Sequence, residues 1–142
     1  DYTSNWFVST MNNAASIIFI IFLGFFIFFS HGCNIKLNIT SATEKEFRLQ
    51  VTVPSIKYKS EHLRFKGKKA SQLLNIKGKN CAKKKWKIQT WKKNEKGDTF
   101  VTARSLEAKF NGNGYMRIMV GDDLRPWVND RRGIHCSEGQ CM

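Results

Sequence analysis

Hydrophobic residues follow two different patterns along the chain. Between Ala14 and Phe29 they form one almost unbroken run, whereas after Cys33 they alternate with polar residues. An unbroken run is typical of a leader or a buried helix, and alternation is typical of β-strands with one face in a core. The pattern therefore predicts a hydrophobic leader helix followed by a mainly β domain.

The end of the apolar run has the form of a signal-peptidase site. Ser30 and Gly32 place small side chains at positions −3 and −1 relative to Cys33, as the peptidase requires. We therefore interpret residues 1–32 as the leader, with a signal peptide over 14–32. Residues 33–142 are then a secreted, extracellular domain that begins at Cys33.

The sequence around the apolar run leaves other interpretations open. No lysine or arginine precedes Lys36, so residues 1–13 are either an n-region without positive charge or, if translation begins at Met11, include spurious upstream sequence at 1–10. An uncleaved signal anchor is an alternative, but the 16 apolar residues fall short of the roughly 20 that span a bilayer. A bacterial lipoprotein modified at Cys33 is a third interpretation.

Alternating segments predict the strands of the domain. Residues 34–40 and 47–53 alternate cleanly, and we expect them to form a hairpin. Residues 57–66 predict a third strand. Residues 68–76 contain good helix formers between two glycines and predict a short helix.

The second half of the domain predicts two turns with return strands. We expect the turns at 94–97 and 110–114 and the strands at 100–104 and 115–120. The polar tail at 121–142 is expected to be held by its cysteines. Short strands with glycine-rich turns predict a small antiparallel β-barrel with one or two short helices.

Spacing along the strands also predicts the core. Trp86, Ile88 and Thr90 share one face of a strand, whereas Trp91 lies on the other face. The predicted core consists of Phe47, Leu49, Val51, Trp86, Ile88, Ile118 and Val120.

The four cysteines, Cys33, Cys81, Cys136 and Cys141, all follow the leader. An even number of cysteines in a small secreted domain predicts two disulfides, and three pairings are open. Structural zinc sites have paired spacings that Cys136, Cys141 and His135 lack. The sequence therefore predicts disulfides and no metal.

No catalytic constellation stands out in the sequence. His31, His62 and His135 are scattered, and no serine–histidine–aspartate set, carboxylate pair or phosphate-binding loop accompanies them. The sequence therefore predicts a binding protein without a cofactor rather than an enzyme.

The predicted mature domain is strongly basic. All 24 lysines and arginines and 10 of the 11 acidic residues follow Cys33, so its net charge is +14 (24 − 10). Such a field attracts acidic proteins and sulfated polysaccharides such as heparan sulfate, and a solvated lysine-rich face is the alternative. Neither nucleic acid nor, after cleavage, a membrane is expected as a partner. The predicted contact surface consists of Lys77, Lys79, Lys83, Lys84, Lys85, Lys87, Lys92, Lys93 and Lys96.

Asn38 begins the sequon Asn38-Ile39-Thr40, which predicts N-glycosylation. It falls on the polar face of the first predicted strand, where a glycan can project from the sheet. An unused sequon is the alternative.

Several segments resemble a family of small secreted nematode proteins, the netrin-like excretory–secretory proteins. The resemblance spans Cys33 to Cys141 and rests on CNIKLNITSATEKEFRLQVTVPS, WKIQTW, YMRIMVGDDLRPWV and HCSEGQC. It implies a netrin-like, OB-type β-barrel with short helices. It also implies a non-enzymatic role in binding extracellular or host immune proteins.

Metalloproteinase inhibition is an alternative that the netrin-like resemblance implies. Inhibitors of this fold present the α-amine of an N-terminal cysteine to the catalytic zinc, and cleavage before Cys33 would create such a terminus. An α-amino pKa of about 7.7–8.0 leaves part of the amine neutral and able to bind zinc. Those inhibitors begin Cys-x-Cys, whereas residue 35 here is Ile35.

Overall fold

The structure, a computed structural model, describes residues 32–142. These residues contain eight β-strands and one 3₁₀ turn. The predicted leader, apart from Gly32, and the start at Met11 lie outside this range. Within it, no helix is long and apolar enough to cross a membrane. The elements are β1 Gly32–Ser41, β2 Phe47–Val53, the 3₁₀ turn Pro54–Ile56, β3 Tyr58–Lys59, β4 Leu63–Phe65, β5 Ser71–Lys79, β6 Trp86–Lys93, β7 Phe100–Val120 and β8 Pro126–Gly139.

The strands form one sheet that curls into a nearly closed barrel. Its order is β3-β2-β6-β7-β1-β5, with β4 paired to β2 and β8 paired to β7. The 21-residue β7 joins the parts of the sheet, because its first part pairs with β6 and its second part with β1 and β8. The predicted mainly β, barrel-shaped fold is confirmed at this level, although the β1–β7 ladder is parallel.

Alternating side chains fill the barrel as the sequence pattern predicts. Ile35, Leu37 and Ile39 of β1 are fully buried, because successive side chains of a strand point to opposite faces of the sheet. Trp86 meets Phe110 edge-on, with the ring centroids 5.5 Å apart. The predicted core residues are all buried, namely Phe47, Leu49, Val51, Trp86, Ile88, Ile118 and Val120.

The predicted hairpin between the first two strands is wrong. β1 lies between β5 and β7, whereas β2 pairs with β3, β4 and β6. The connecting segment explains this separation: Ala42 N donates to Val120 O at 2.8 Å, and Ser41 Oγ donates to Thr43 O at 2.9 Å. The first bond attaches the connection to the end of β7 and the second fixes its local conformation, so the chain does not turn back along β1.

The predicted helix at residues 68–76 is also wrong, because this segment forms most of β5. Leu74 and Ile76 lie opposite Leu37 and Ile35 in a ladder that pairs nine residues with β1. A short helix is only marginally stable by itself, so pairing with β1 outweighs local helix propensity.

Helical structure is limited to the 3₁₀ turn at Pro54–Ile56 within residues 32–142. The prediction of one or two short helices in the barrel is therefore wrong. The strand predicted at residues 57–66 divides into β3 and β4 around Ser60, whose hydroxyl accepts a hydrogen bond from Val51 N at 2.9 Å.

Residues 110–114, predicted as a turn, lie inside β7 instead. Gly114 allows β8 to approach closely, because a Cβ at this position would overlap the carbonyl oxygen of Arg132. Gly112 and Gly133 have φ values of 121° and 69°, which favour glycine. The glycines therefore serve the close packing of two strands rather than a reversal of the chain.

The tail, residues 121–142, is not held by its cysteines alone, because most of it forms β8. This strand pairs with β7, and its Pro126 and Ile134 side chains are buried. By contrast, the predicted turn at 94–97 is confirmed, since Asn94 N donates to the carbonyl oxygen of Thr99 at 2.8 Å across the β6–β7 connection.

Candidate polyanion-binding surface

Two disulfides bind Cys33 to Cys81 and Cys136 to Cys141. The predicted number is confirmed, and the structure selects one of the three open pairings. The Cys33–Cys81 bond joins the start of β1 to the loop between β5 and β6, and both of its sulfurs belong to buried residues. The loop is thereby attached to the core of the barrel.

Hydrogen bonds fix the loop between β5 and β6 in addition to the disulfide. The carbonyl oxygen of Cys81 accepts hydrogen bonds from Ser55 Oγ at 3.2 Å and from Trp86 Nε1 at 2.9 Å. Lys84 N donates to the same Ser55 hydroxyl at 2.8 Å. The backbone that carries Lys83, Lys84 and Lys85 is therefore held in one conformation by side chains from two other elements.

The predicted lysine run occupies two separate places on the surface. All nine side chains are exposed. Five of them lie within four residues of Cys81 in the chain, and we call them the disulfide-end cluster: Lys77, Lys79, Lys83, Lys84 and Lys85. Three lie at the far end of β6 and its turn, and we call them the hairpin-end cluster: Lys92, Lys93 and Lys96.

The length of β6 separates the two clusters. Lys85 and Lys93 lie eight residues apart along an extended strand, which corresponds to about 25 Å. Lys87 lies between them on the outer face of β6, opposite Glu107 of β7. The nine lysines therefore do not form a single patch.

Acidic side chains compensate the charge of Lys93 in the hairpin-end cluster, whereas Lys92 and Lys96 have no ion pair within the described part of the chain. Lys93 Nζ lies 3.0 Å from Asp98 Oδ1, and the hydrogen bond and charge of Lys93 lower the pKa of the Asp98 carboxyl. The pKa of the Glu46 carboxyl is lowered mainly by a hydrogen bond from Arg64, with a further contribution from the charge of Lys93. These groups are exposed, so the ion pairs add little stability, but they neutralise the local field.

The disulfide-end cluster retains more of its positive charge. Lys85 Nζ lies 3.2 Å from Glu138, which Lys109 also contacts. Hydrogen bonds from Lys109 and Lys85 lower the pKa of the Glu138 carboxyl. The other four members have no ion pair within the described part of the chain, namely Lys77, Lys79, Lys83 and Lys84.

Trp91 lies on the outer face of β6, as predicted, whereas Trp86 is buried. The Trp91 ring meets the His62 ring edge-on, with centroids 4.7 Å apart. Nearby on the same face, the Arg48 guanidinium lies 4.0 Å from the centroid of the Phe100 ring. Sequence reasoning missed these pairs because their members come from different strands.

Histidines and acidic residues do not converge on a metal site in residues 32–142. No group of three metal-ligating side chains occurs there. His62 contacts Trp91 and His135 is exposed on β8, while His31 lies outside the described residues. Cys136 and Cys141 are bonded to each other rather than to a metal.

Asn38, the predicted glycosylation site, lies on the outer face of β1 and is half-buried. Its Oδ1 accepts a hydrogen bond from Ser71 Oγ at 2.6 Å, and its Nδ2 lies 3.5 Å from Tyr115 Oη. A glycan attached to Nδ2 would therefore cover the outer face beside Tyr115. Glycosylation itself stays a prediction.

Comparisons with known proteins add little to this geometry. No protein-family model matches the chain, and no curated protein sequence matches it. An NMR structure of a protein from Eubacterium rectale is similar over 70% of this chain and 91% of its own, with 10% identity and a TM-score of 0.34. A crystal structure of listeriolysin O is similar over 69% of this chain and 22% of its own, with 13% identity and a TM-score of 0.31. Both TM-scores are too low for either likeness to support an argument.

Proposed function

We propose that the protein is a secreted, non-enzymatic binding protein whose disulfide-end cluster contacts an acidic extracellular partner. The resemblance to the nematode netrin-like family supports an OB-type barrel and a partner among extracellular or host immune proteins, with heparan sulfate as a further acidic ligand. Cleavage before Cys33 belongs to the same proposal. The observation that carries it is a group of five exposed lysines on a fixed loop and the strand before it, four of which have no ion pair within the described part of the chain.

Fixing the loop matters because binding usually costs conformational freedom. A flexible lysine-rich segment must be ordered when it binds, and this cost lowers the affinity. Here the disulfide and the Ser55 and Trp86 hydrogen bonds have already ordered the backbone of the loop. The lysines thus keep flexible ends on a rigid base, which suits recognition of carboxylates and sulfates by a concentrated positive field.

Zinc chelation by the Cys33 α-amine is not part of this proposal. Cys33 is 3% exposed, and its backbone lies in the ladder opposite Gly78. A chelating terminus needs access to a deep active-site cleft, and this position at the start of a strand flanked by β5 and β7 does not favour it.

Chromatography on immobilised poly-L-glutamate and on heparin tests the proposal. The protein should be retained to higher salt than a folded control protein of equal size and net charge, because its lysines are concentrated and preordered. Elution at the same salt as the control, or earlier, on both columns would show that only net charge is at work and would contradict the proposal.

A further inference from the structure

The outer face of β1, β7 and β8 carries a second basic group that the lysine run does not include. Lys36 of β1 lies directly opposite Tyr115 of β7, and Tyr115 lies directly opposite Arg132 of β8. Neighbouring strands are about 4.8 Å apart, so the tyrosine stands between two cations. Arg117, two residues further along β7, is on the same face. We call Lys36, Tyr115, Arg117 and Arg132 the tyrosine face.

Arg117 is held against the tyrosine ring. Its Nε donates to Tyr115 Oη at 2.9 Å, and its guanidinium carbon lies 5.8 Å from the ring centroid. The ring and the guanidinium therefore form one fixed unit, since a hydrogen bond and a cation–π contact restrict the same two side chains.

Amide side chains complete this surface. An open depression of about 370 Å³ is lined by Asn34, Lys36, Asn113, Gly114, Tyr115 and Arg132. An amide offers both donors and an acceptor, so these asparagines can pair with hydroxyl groups, which are donors and acceptors at once.

The cations of the tyrosine face are not neutralised by acids. Lys36, Arg117 and Arg132 form no ion pair with any described residue, and Asp130 lies opposite Arg117 in the ladder without closing one. On the outer face of β2 and β4, by contrast, Arg64 binds Glu46. The tyrosine face thus presents three cations to solvent around an aromatic ring.

We infer that the tyrosine face binds a sulfated saccharide. Lys and Arg side chains match the charge of sulfate, and the planar guanidinium can donate two hydrogen bonds to it. The amides match saccharide hydroxyls, and the apolar face of an aromatic ring packs against the C–H groups of a sugar ring. A peptide carrying only carboxylates would use the charges but has no sugar ring to pack against Tyr115.

The predicted glycan at Asn38 would compete for this face, because Asn38 Nδ2 lies 3.5 Å from Tyr115 Oη. The test therefore uses the full chain exported to a bacterial periplasm, where disulfides form and no N-glycan is added. The probes are a heparin-derived tetrasaccharide, a neutral tetrasaccharide of glucose, and inorganic sulfate.

Binding is measured by calorimetry and by amide chemical shifts of the wild-type protein. The tetrasaccharide should shift the amide signals of β1, β7 and β8. The double variant Arg117→Gln/Arg132→Gln should bind the tetrasaccharide about tenfold or more weakly, because two charge-assisted contacts are lost. Lys92→Gln/Lys96→Gln removes the same charge from the hairpin-end cluster, whose lysines are also exposed, and should change the affinity less than about twofold. Tyr115→Ala should weaken binding more than Tyr115→Phe, which keeps the ring.

Three results would overturn the inference. Shifts confined to the loop between β5 and β6 would place the saccharide elsewhere. Equal weakening by both double variants would indicate only diffuse charge, and inorganic sulfate binding as tightly as the tetrasaccharide would indicate a simple anion site. Shifts confined to that loop would at the same time support the proposed function, which places acidic ligands on the disulfide-end cluster, so the two hypotheses fail on different results.

Discussion

The two ends of β6 carry similar lysine sequences but differ in their surroundings. Lys83, Lys84 and Lys85 precede the strand, and Lys92, Lys93 and Lys96 lie at its end and in the turn that follows. At the first end Glu138 pairs with Lys85, whereas at the second Asp98 pairs with Lys93 and the charge of Lys93 also acts on Glu46. Equal density of lysine in a sequence therefore does not produce equal fields on the surface.

The two ends also differ in how the backbone is held. The loop before β6 is bonded covalently and through Ser55 to other elements of the barrel. The turn after β6 is closed only by its own residues, with Asn94 N donating to Thr99 O and Lys96 N donating to Asn94 Oδ1. The loop before β6 is thus held by other elements of the barrel, whereas the turn after β6 is held by hydrogen bonds among its own residues.

The largest expected effect comes from removing the disulfide under the first cluster. Cys33→Ala/Cys81→Ala should lower the free energy of unfolding by about 4 kcal/mol, because the bond closes a long loop of the unfolded chain. Cys136→Ala/Cys141→Ala should cost only about 2 kcal/mol, since its cysteines are 5 residues apart rather than 48. Urea denaturation of both variants measures the difference.

The same two variants sharpen the comparison of the clusters. Loss of Cys33–Cys81 should also weaken binding to poly-L-glutamate at temperatures where the variant is still folded, whereas loss of Cys136–Cys141 should not. A larger loss of stability or of binding in the second variant would mean that the loop between β5 and β6 does not depend on its disulfide.

Acidification should reduce the difference in uncompensated positive charge between the two clusters. This effect should be smaller than that of removing the Cys33–Cys81 disulfide. The lowered pKa values of Asp98, Glu46 and Glu138 mean that their ion pairs stabilise the fold above the ordinary carboxyl pKa. These ion pairs are lost as the pH falls through the lowered values. Protonation then releases Lys93 and Lys85, while the sulfates of heparin stay charged.

Heparin affinity measured at about pH 6 and about pH 2.5, below the ordinary carboxyl pKa values, tests this expectation. Binding should strengthen by about twofold on acidification, as expected for exposed pairs, and the gain should be smaller in a Lys93→Gln variant. Binding that weakens while circular dichroism shows an intact fold would mean that the acids do not compete for these lysines.

Much of the barrel could be predicted from alternation, because a strand with one buried face has a repeat of two. Phe47, Leu49 and Val51 were identified as core in this way, and all are fully buried. The helix predicted at 68–76 was wrong because its helix-forming residues are also compatible with a strand. Only the ladder with β1, more than 30 residues away, decides between them. β8 was missed because its side chains are largely polar and its partner β7 is what fixes it.

Local sequence patterns were also insufficient to predict how the residues of the candidate sites are grouped on the surface. Exposure of the lysine run could be predicted from its composition, but its division into two clusters depends on the strand between them and on the distant acids Glu46 and Glu138. The tyrosine face brings together Lys36 and Arg132, which are 96 positions apart in the sequence. No local pattern contains that information.

The most direct test of the comparison is a pair of variants with equal charge. Lys83→Gln/Lys84→Gln and Lys92→Gln/Lys96→Gln each remove two exposed lysines, and their dissociation constants for poly-L-glutamate are measured over a range of salt concentrations. We expect the first variant to lose on the order of tenfold in affinity and to show a shallower salt dependence, while the second loses no more than about twofold. Equal losses in the two variants, or a larger loss in the second, would contradict the assignment of the contact surface to the disulfide end.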